Sequence, residues 1–174
     1  MSPNSSAEAA GPSRSARRAS DDLAFALFRP HLFFYRPWTG VGALTTTMGP
    51  KLRIGFTVSG DGRAASRQGH VEQHWSFDNG LTYSTEWKVV STDGADYRAV
   101  DVRNGVEARG RQLGDAFLWW VRTKAPTPFG MRMVKVSTIY RMIGPGVAEA
   151  QTTTTLWGII VLNRMTATYR RLDA

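Results

Sequence analysis

VEARGRQLGDAFLWW, residues 106–120, decides how the rest of the chain is read. Gly110 and Gly114 punctuate it, and the aromatic pair Trp119-Trp120 ends it. Leu113-Gly114-Asp115 is a tight-turn signal between two segments of strand length, so the stretch predicts a strand, a turn and a buried strand. A glycine-rich phosphate cradle would need a helix to follow it, and the segment after Asp115 does not have that character. The two glycines are therefore assigned to close strand packing and to turn geometry.

Working outward, the same punctuation repeats. GDGR at 60–63, DNG at 78–80, TDGAD at 92–96, NG at 104–105, LGD at 113–115 and GPG at 144–146 each mark a reversal. Strands are expected near 41–47, 52–58, 64–77, 81–90, 97–103, 106–111, 116–123, 131–143, 147–156 and 159–172. Alternation supports two of them directly. Leu81, Tyr83, Thr85, Trp87 and Val89 share one face, with Thr82, Ser84, Glu86 and Lys88 on the other. In the preceding segment Val71, Gln73, Trp75 and Phe77 form the covered set, against His70, Glu72, His74 and Ser76. Asn79-Gly80 joins the two, which brings the Trp75 and Trp87 faces into one hairpin. The expected fold is all-β, a single antiparallel up-and-down barrel of about eight to ten strands, because closure removes exposed edges.

The chain of 174 residues, 42% hydrophobic and 11% aromatic, suits one domain with one core. No run approaches the roughly 18 consecutive apolar residues of a spanning helix. Cysteine is absent, which excludes disulfides, thiolate catalysis, Cys-ligated zinc and a lipidated N-terminal Cys. A reducing compartment fits, and a cytoplasmic location is expected. The net charge of +8 and a pI near 10.4 keep an anionic partner in view, with a solvated basic surface as the plainer reading.

Residues 1–20 lack aromatics and are rich in Ser, Ala, Pro and Gly, so they predict a disordered tail, with the barrel domain over 21–174. Arg17-Arg18 is followed at once by Asp21-Asp22 and no clean apolar stretch, which disfavours a targeting segment. Ser20 with those two acids forms a helix start, and Leu23, Ala26 and Leu27 carry helical spacing, so a short helix is expected over about 21–29, stopped by Pro30.

The pattern A-x-G-x-x-x-G-D-A-x-x-W, from Ala108 through Gly110, Gly114, Asp115 and Ala116 to Trp119, resembles the DUF3833 family of small bacterial proteins. Trp75 through Gly80 with Trp87 downstream, Tyr97 with Asp101-Val102, and LWGIIV at 156–161 extend the match over roughly residues 33–172. The resemblance implies a lipocalin-like (calycin-like) barrel in a family with no established activity. Many relatives look like envelope lipoproteins, but this chain lacks the Cys that would carry a lipid. It also departs at polar positions, with Gln73 and Thr85 where the family places an acid and an arginine, and Ser137-Thr138-Ile139 in place of an acidic-Trp segment near Tyr140.

Candidate chemistry is sparse. His70, Glu72 and His74 at i, i+2 and i+4 share one strand face and could ligate zinc or non-haem iron, but that face is expected to be the solvated one. For acid-base work Asp101, in a β-branched strand, is preferred over Glu86 and Asp115, and pairing with an arginine is the plainer reading. Serine-nucleophile and phosphate-loop motifs are absent. Basic and aromatic residues interleave at Arg132, Lys135, Tyr140 and Arg141 without a nucleic-acid signature, so nucleic acid is disfavoured. No cofactor is expected. Six tryptophans either fill a small barrel or line a cavity. The expectation is a binding protein for a small apolar or amphipathic ligand. Trp75, Trp87, Trp119 and Tyr140 would supply its wall, Gln73 and Thr85 its polar points, and arginines near the rim would receive an anionic head group. A barrel enzyme such as an isomerase or cyclase acting through Asp101, and binding of an anionic partner to the basic surface, are the alternatives.

Overall fold

A computed structural model describes residues 28, 30–34, 36–47, 49, 51–63 and 68–172. Ten strands follow one helical turn: α1 (Pro30–Phe33), β1 (Trp38–Thr46), β2 (Leu52–Arg63), β3 (Gln68–Phe77), β4 (Thr82–Ser91), β5 (Asp96–Asp101), β6 (Glu107–Leu113), β7 (Ala116–Thr127), β8 (Gly130–Gly144), β9 (Val147–Leu156) and β10 (Ile160–Arg171). Each pairs antiparallel with its sequence neighbour, and β1 pairs with β10 from Trp38↔Arg171 to Thr46↔Asn163. The result is a closed up-and-down barrel without a free edge.

The opening stretch forms β6, a turn and the first half of β7. Gly114 has φ +59°, and Gly110 faces Trp119 across the ladder. A side chain on Gly110 would run into the rings of Phe117 and Trp119, which lie over its bare backbone.

One end of the barrel is closed. Phe28, Phe33 and Phe34 enter it and pack on Trp38, Phe56, Phe117, Tyr140 and Tyr169, with centroid separations of 4.4 Å for Phe33–Trp38 and 5.6 Å for the stacked Phe28–Phe117 pair. The wall around them is built from small residues, Ala99, Ala108, Ala148, Ala150 and Ala167, so large inserted rings meet small inward positions. The plug is tied at both sides: the Phe28 N–H donates to the Asp115 carbonyl at 3.3 Å, and Trp38 Nε1 donates to the Phe33 carbonyl at 2.7 Å. The turn inside residues 106–120 thus also receives the plug.

Pro30 opens the helical turn, a role its fixed φ and missing N–H suit. The tail at 1–20 and the helix expected over 21–29 fall, Phe28 apart, outside the described residues. GDGR at 60–63 is not a reversal: β2 runs through it, with Gly60↔Val71 and Arg63↔Gln68. Gly60 serves close approach, since a Cβ there would strike the Phe34 carbonyl where the plug crosses β2. Two further reversals carry glycine at positive φ, Gly130 between β7 and β8 and Gly158 between β9 and β10.

Candidate functional site

The other half of the barrel interior is hollow. A cavity of about 410 Å³ lies above the plug. Phe34 and Tyr140 form its floor, and it opens at the end bearing the β3–β4, β7–β8 and β9–β10 turns, where Tyr83 is 56% exposed. Gln73, Trp75, Thr85, Trp87, Trp119 and Tyr140 all line it. They share it because period-2 alternation points every second residue of β3, β4, β7 and β8 inward.

Register refines the β3–β4 wall. Trp75 faces Tyr83 and Trp87 faces Val71, so the two tryptophans are offset, with the pair Gln73↔Thr85 between them. Thr85 Oγ1 donates to Gln73 Oε1 at 3.1 Å. Trp87 meets Trp119 edge to face at 6.1 Å, and Trp75 leans on Phe56 at 4.8 Å. Across the barrel a second polar point joins Thr138 and Thr152, whose hydroxyls are 2.9 Å apart on β8 and β9. Thr154, Asn163, Leu44 and Met165 complete that side. Thr152 and Thr154 stand at alternate positions of the threonine run 152–155, whose β-branched side chains favour a strand first and line the cavity second.

None of the described lining residues is charged. The arginines expected to receive a ligand head group belong to the rim, and the described walls below it hold none. The nearest charged influence is at the rim: burial, then Asp101, pushes the Tyr83 phenol up, while Arg103 pulls it down. On the floor, burial raises the Tyr140 phenol to about 12 and Tyr169 well above its usual range. Both therefore remain neutral hydroxyls at physiological pH.

Asp101 is 3% exposed but is not among the lining residues. Its Oδ1 accepts from the Arg103 backbone N–H and its Oδ2 from Asn104 Nδ2, both at 2.9 Å. Instead of pairing with an arginine guanidinium or facing a substrate, it caps the β5–β6 turn, an Asx arrangement that satisfies a tight reversal.

His70, Glu72 and His74 stand on the outer face. His70 Nε2 meets Glu86 Oε1 at 2.7 Å and His74 Nε2 meets Glu72 Oε1 at 3.3 Å. Glu72 and Glu86 are direct cross-strand partners, and Arg103 reaches both at 3.7 Å, offsetting the repulsion of like charges placed opposite one another. The His70 hydrogen bond, helped by Arg103, holds the Glu86 carboxyl below its usual range. The set is an ion-pair stripe, and among the described residues no group of three or more His, Asp or Glu could hold a metal ion.

No family model and no curated protein matches the chain. Among solved structures it is similar to the S-type phycobiliprotein lyase CPES from Guillardia theta, at 9% identity over 87% of this chain and 97% of that one, with a TM-score of 0.61. At this identity the likeness concerns the fold. A putative AttH from Nitrosomonas europaea matches at 13% identity over 84% of this chain and 55% of its own length, with a TM-score of 0.31.

Proposed function

We propose that the chain binds a small, largely uncharged apolar or amphipathic ligand in the open half of its barrel. The carrying observation is the cavity of about 410 Å³, whose described walls are uncharged, aromatic and aliphatic with a few amide and hydroxyl groups. That volume falls within the roughly 300–1,000 Å³ of pockets that take drug-sized molecules, which pair an apolar wall with a few placed polar groups. With its Oε1 engaged by Thr85, Gln73 keeps its amide N–H donors for a ligand acceptor. The Thr138–Thr152 pair offers a hydroxyl on the facing wall. The DUF3833 resemblance belongs to the same proposal and rests on the residue pattern quoted above.

Titration with a panel of fatty acids, fatty alcohols and a hydrophobic dye, followed by tryptophan emission, tests the reading. Trp75, Trp87 and Trp119 border the cavity, so a bound molecule changes their emission, and uncharged members of the panel are expected to bind at least as well as the carboxylates. A panel that produces neither an emission change nor a rise in melting temperature overturns it.

A further inference from the structure

The barrel end that carries the cavity mouth also carries exposed apolar side chains on two adjacent hairpins. Phe129, Met131 and Met133 belong to the β7–β8 hairpin, and Trp157, Ile159 and Ile160 to the β9–β10 hairpin. Trp157 is 63% and Ile159 80% exposed. The hairpins meet at their tips, where Phe129 and Trp157 stack with centroids 6.0 Å apart. The β7–β8 hairpin stands proud of its neighbour: β9 ends at Leu156↔Val134, while β7 and β8 continue pairing to Thr127↔Gly130.

The backbone under Trp157 adds a second observation. Trp157 has φ +54° and Gly158 φ +78°, and Ile159 N–H closes the turn on the Leu156 carbonyl at 3.2 Å. Positive φ at both central residues is the type I′ hairpin, whose first central position favours Asn, Asp or Gly. Among the described residues Trp157 is the one non-glycine at positive φ. A bulky aromatic therefore occupies a strained position while remaining largely in solvent, stacked only on the likewise exposed Phe129 among the described residues, and turn chemistry does not explain it.

Charge supplies the third. From Ala116 to Ala148 the chain holds Arg122, Lys124, Arg132, Lys135 and Arg141 and no Asp or Glu. From Ala150 to Leu172 it holds Arg164, Arg170 and Arg171, again with no acid. Lys124, Arg132, Lys135 and Arg164 are exposed around the apolar tips. Of the acids at the same barrel end, Asp78 and Asp101 lie in the β3–β4 and β5–β6 turns, where they accept backbone N–H groups of Arg53 and Arg103, and Glu107, at the start of β6, shares a surface groove with Arg109, Arg122 and Lys135 and leaves it net basic.

We propose that the β7–β8 and β9–β10 tips dock the barrel mouth-first on an anionic lipid bilayer, Trp157 and Phe129 entering the interface and the surrounding cations meeting the headgroups. Aromatic residues suit the boundary between headgroup and acyl chain, and basic residues near it add attraction that falls with salt. The barrel docks and does not span, because its outward faces carry Glu72, Glu86, Arg98 and Arg109. The surface stands whether or not the cavity holds a ligand.

The test is co-sedimentation of the full chain with vesicles of phosphatidylcholine alone and with roughly one-third phosphatidylglycerol. The native chain is expected on the anionic vesicles, less on the neutral ones, and to be released by salt. Trp157→Asn restores the preferred Asn-Gly turn, so its melting temperature should hold or rise, while its partitioning falls roughly tenfold or more. Phe129→Ser should weaken partitioning in the same direction. Failure of the native chain to bind anionic vesicles overturns the proposal, as does binding that Trp157→Asn and Phe129→Ser leave intact. Vesicle-free association lost in Trp157→Asn would assign the tip to a second copy of the chain and overturn it equally.

Discussion

The two ends of this barrel are built from the same ten strands and the same inward alternation, yet one is solid and the other hollow. At the closed end Phe28, Phe33 and Phe34 enter among alanine-lined walls, and every ring finds another within about the stacking distance favoured by aromatic pairs. At the open end the inward residues are no smaller, with Trp75, Trp87 and Trp119 among them, but no segment among the described residues covers them. Whether a barrel of this size encloses space is thus decided less by its wall than by what is threaded into it.

Substitutions at the two ends should separate this difference. Phe33→Ala, at a residue 2% exposed and packed on Phe28, Phe34, Trp38, Tyr140 and Tyr169, is expected to cost about 3–5 kcal/mol, the range for deleting a fully packed ring. Denaturant unfolding measures it, and a loss under about 1 kcal/mol would mean the plug is not part of the cooperative core. Trp87→Ala removes a larger ring from the hollow half, where it already borders empty space, so about 1–2 kcal/mol is expected despite its size. The same variant should lose most of the ligand-induced emission change. A stability cost equal to that of Phe33→Ala would show that the upper half is as tightly packed as the lower.

The smallest effect lies outside both, on the ion-pair stripe of β3 and β4. Glu86 is held below its ordinary value of 4.5 first by the hydrogen bond from His70 and then by Arg103. A carboxyl depressed in the folded state contributes stability above its unfolded pKa and loses it as pH falls through the folded one. The difference in unfolding midpoint between the native chain and Glu86→Gln should therefore be present at neutral pH and vanish on acidification. It should be small, because the group is solvated and screened. A difference that grows toward acid pH would contradict the assigned sign.

Much of this was legible in the residues. The inward set Val71, Gln73, Trp75 and Phe77 and its partner Thr85, Trp87 and Val89 followed from alternation alone, and all line the cavity. The turn-capping place of Asp101 was harder to read, because a buried acid in a β-branched segment looks alike whether it faces a substrate or caps a turn. The nearby Asn104-Gly105 was the available signal for the cap. GDGR misled for a related reason: a glycine reports that a side chain cannot be accommodated, and only the path of Phe34 over β2 shows that the cause at Gly60 is a neighbour and not a reversal.

The sequence by itself determined the strands, most of their turns and the face each residue presents, since these depend on period-2 patterning and on glycine within a few positions. Tertiary structure alone decided the register in which β1 closes on β10, the partners of the plug rings, the size of the cavity left above them and the meeting of Phe129 with Trp157. Each of those joins segments far apart in the chain, and local patterning carries no record of which distant surface a residue will meet.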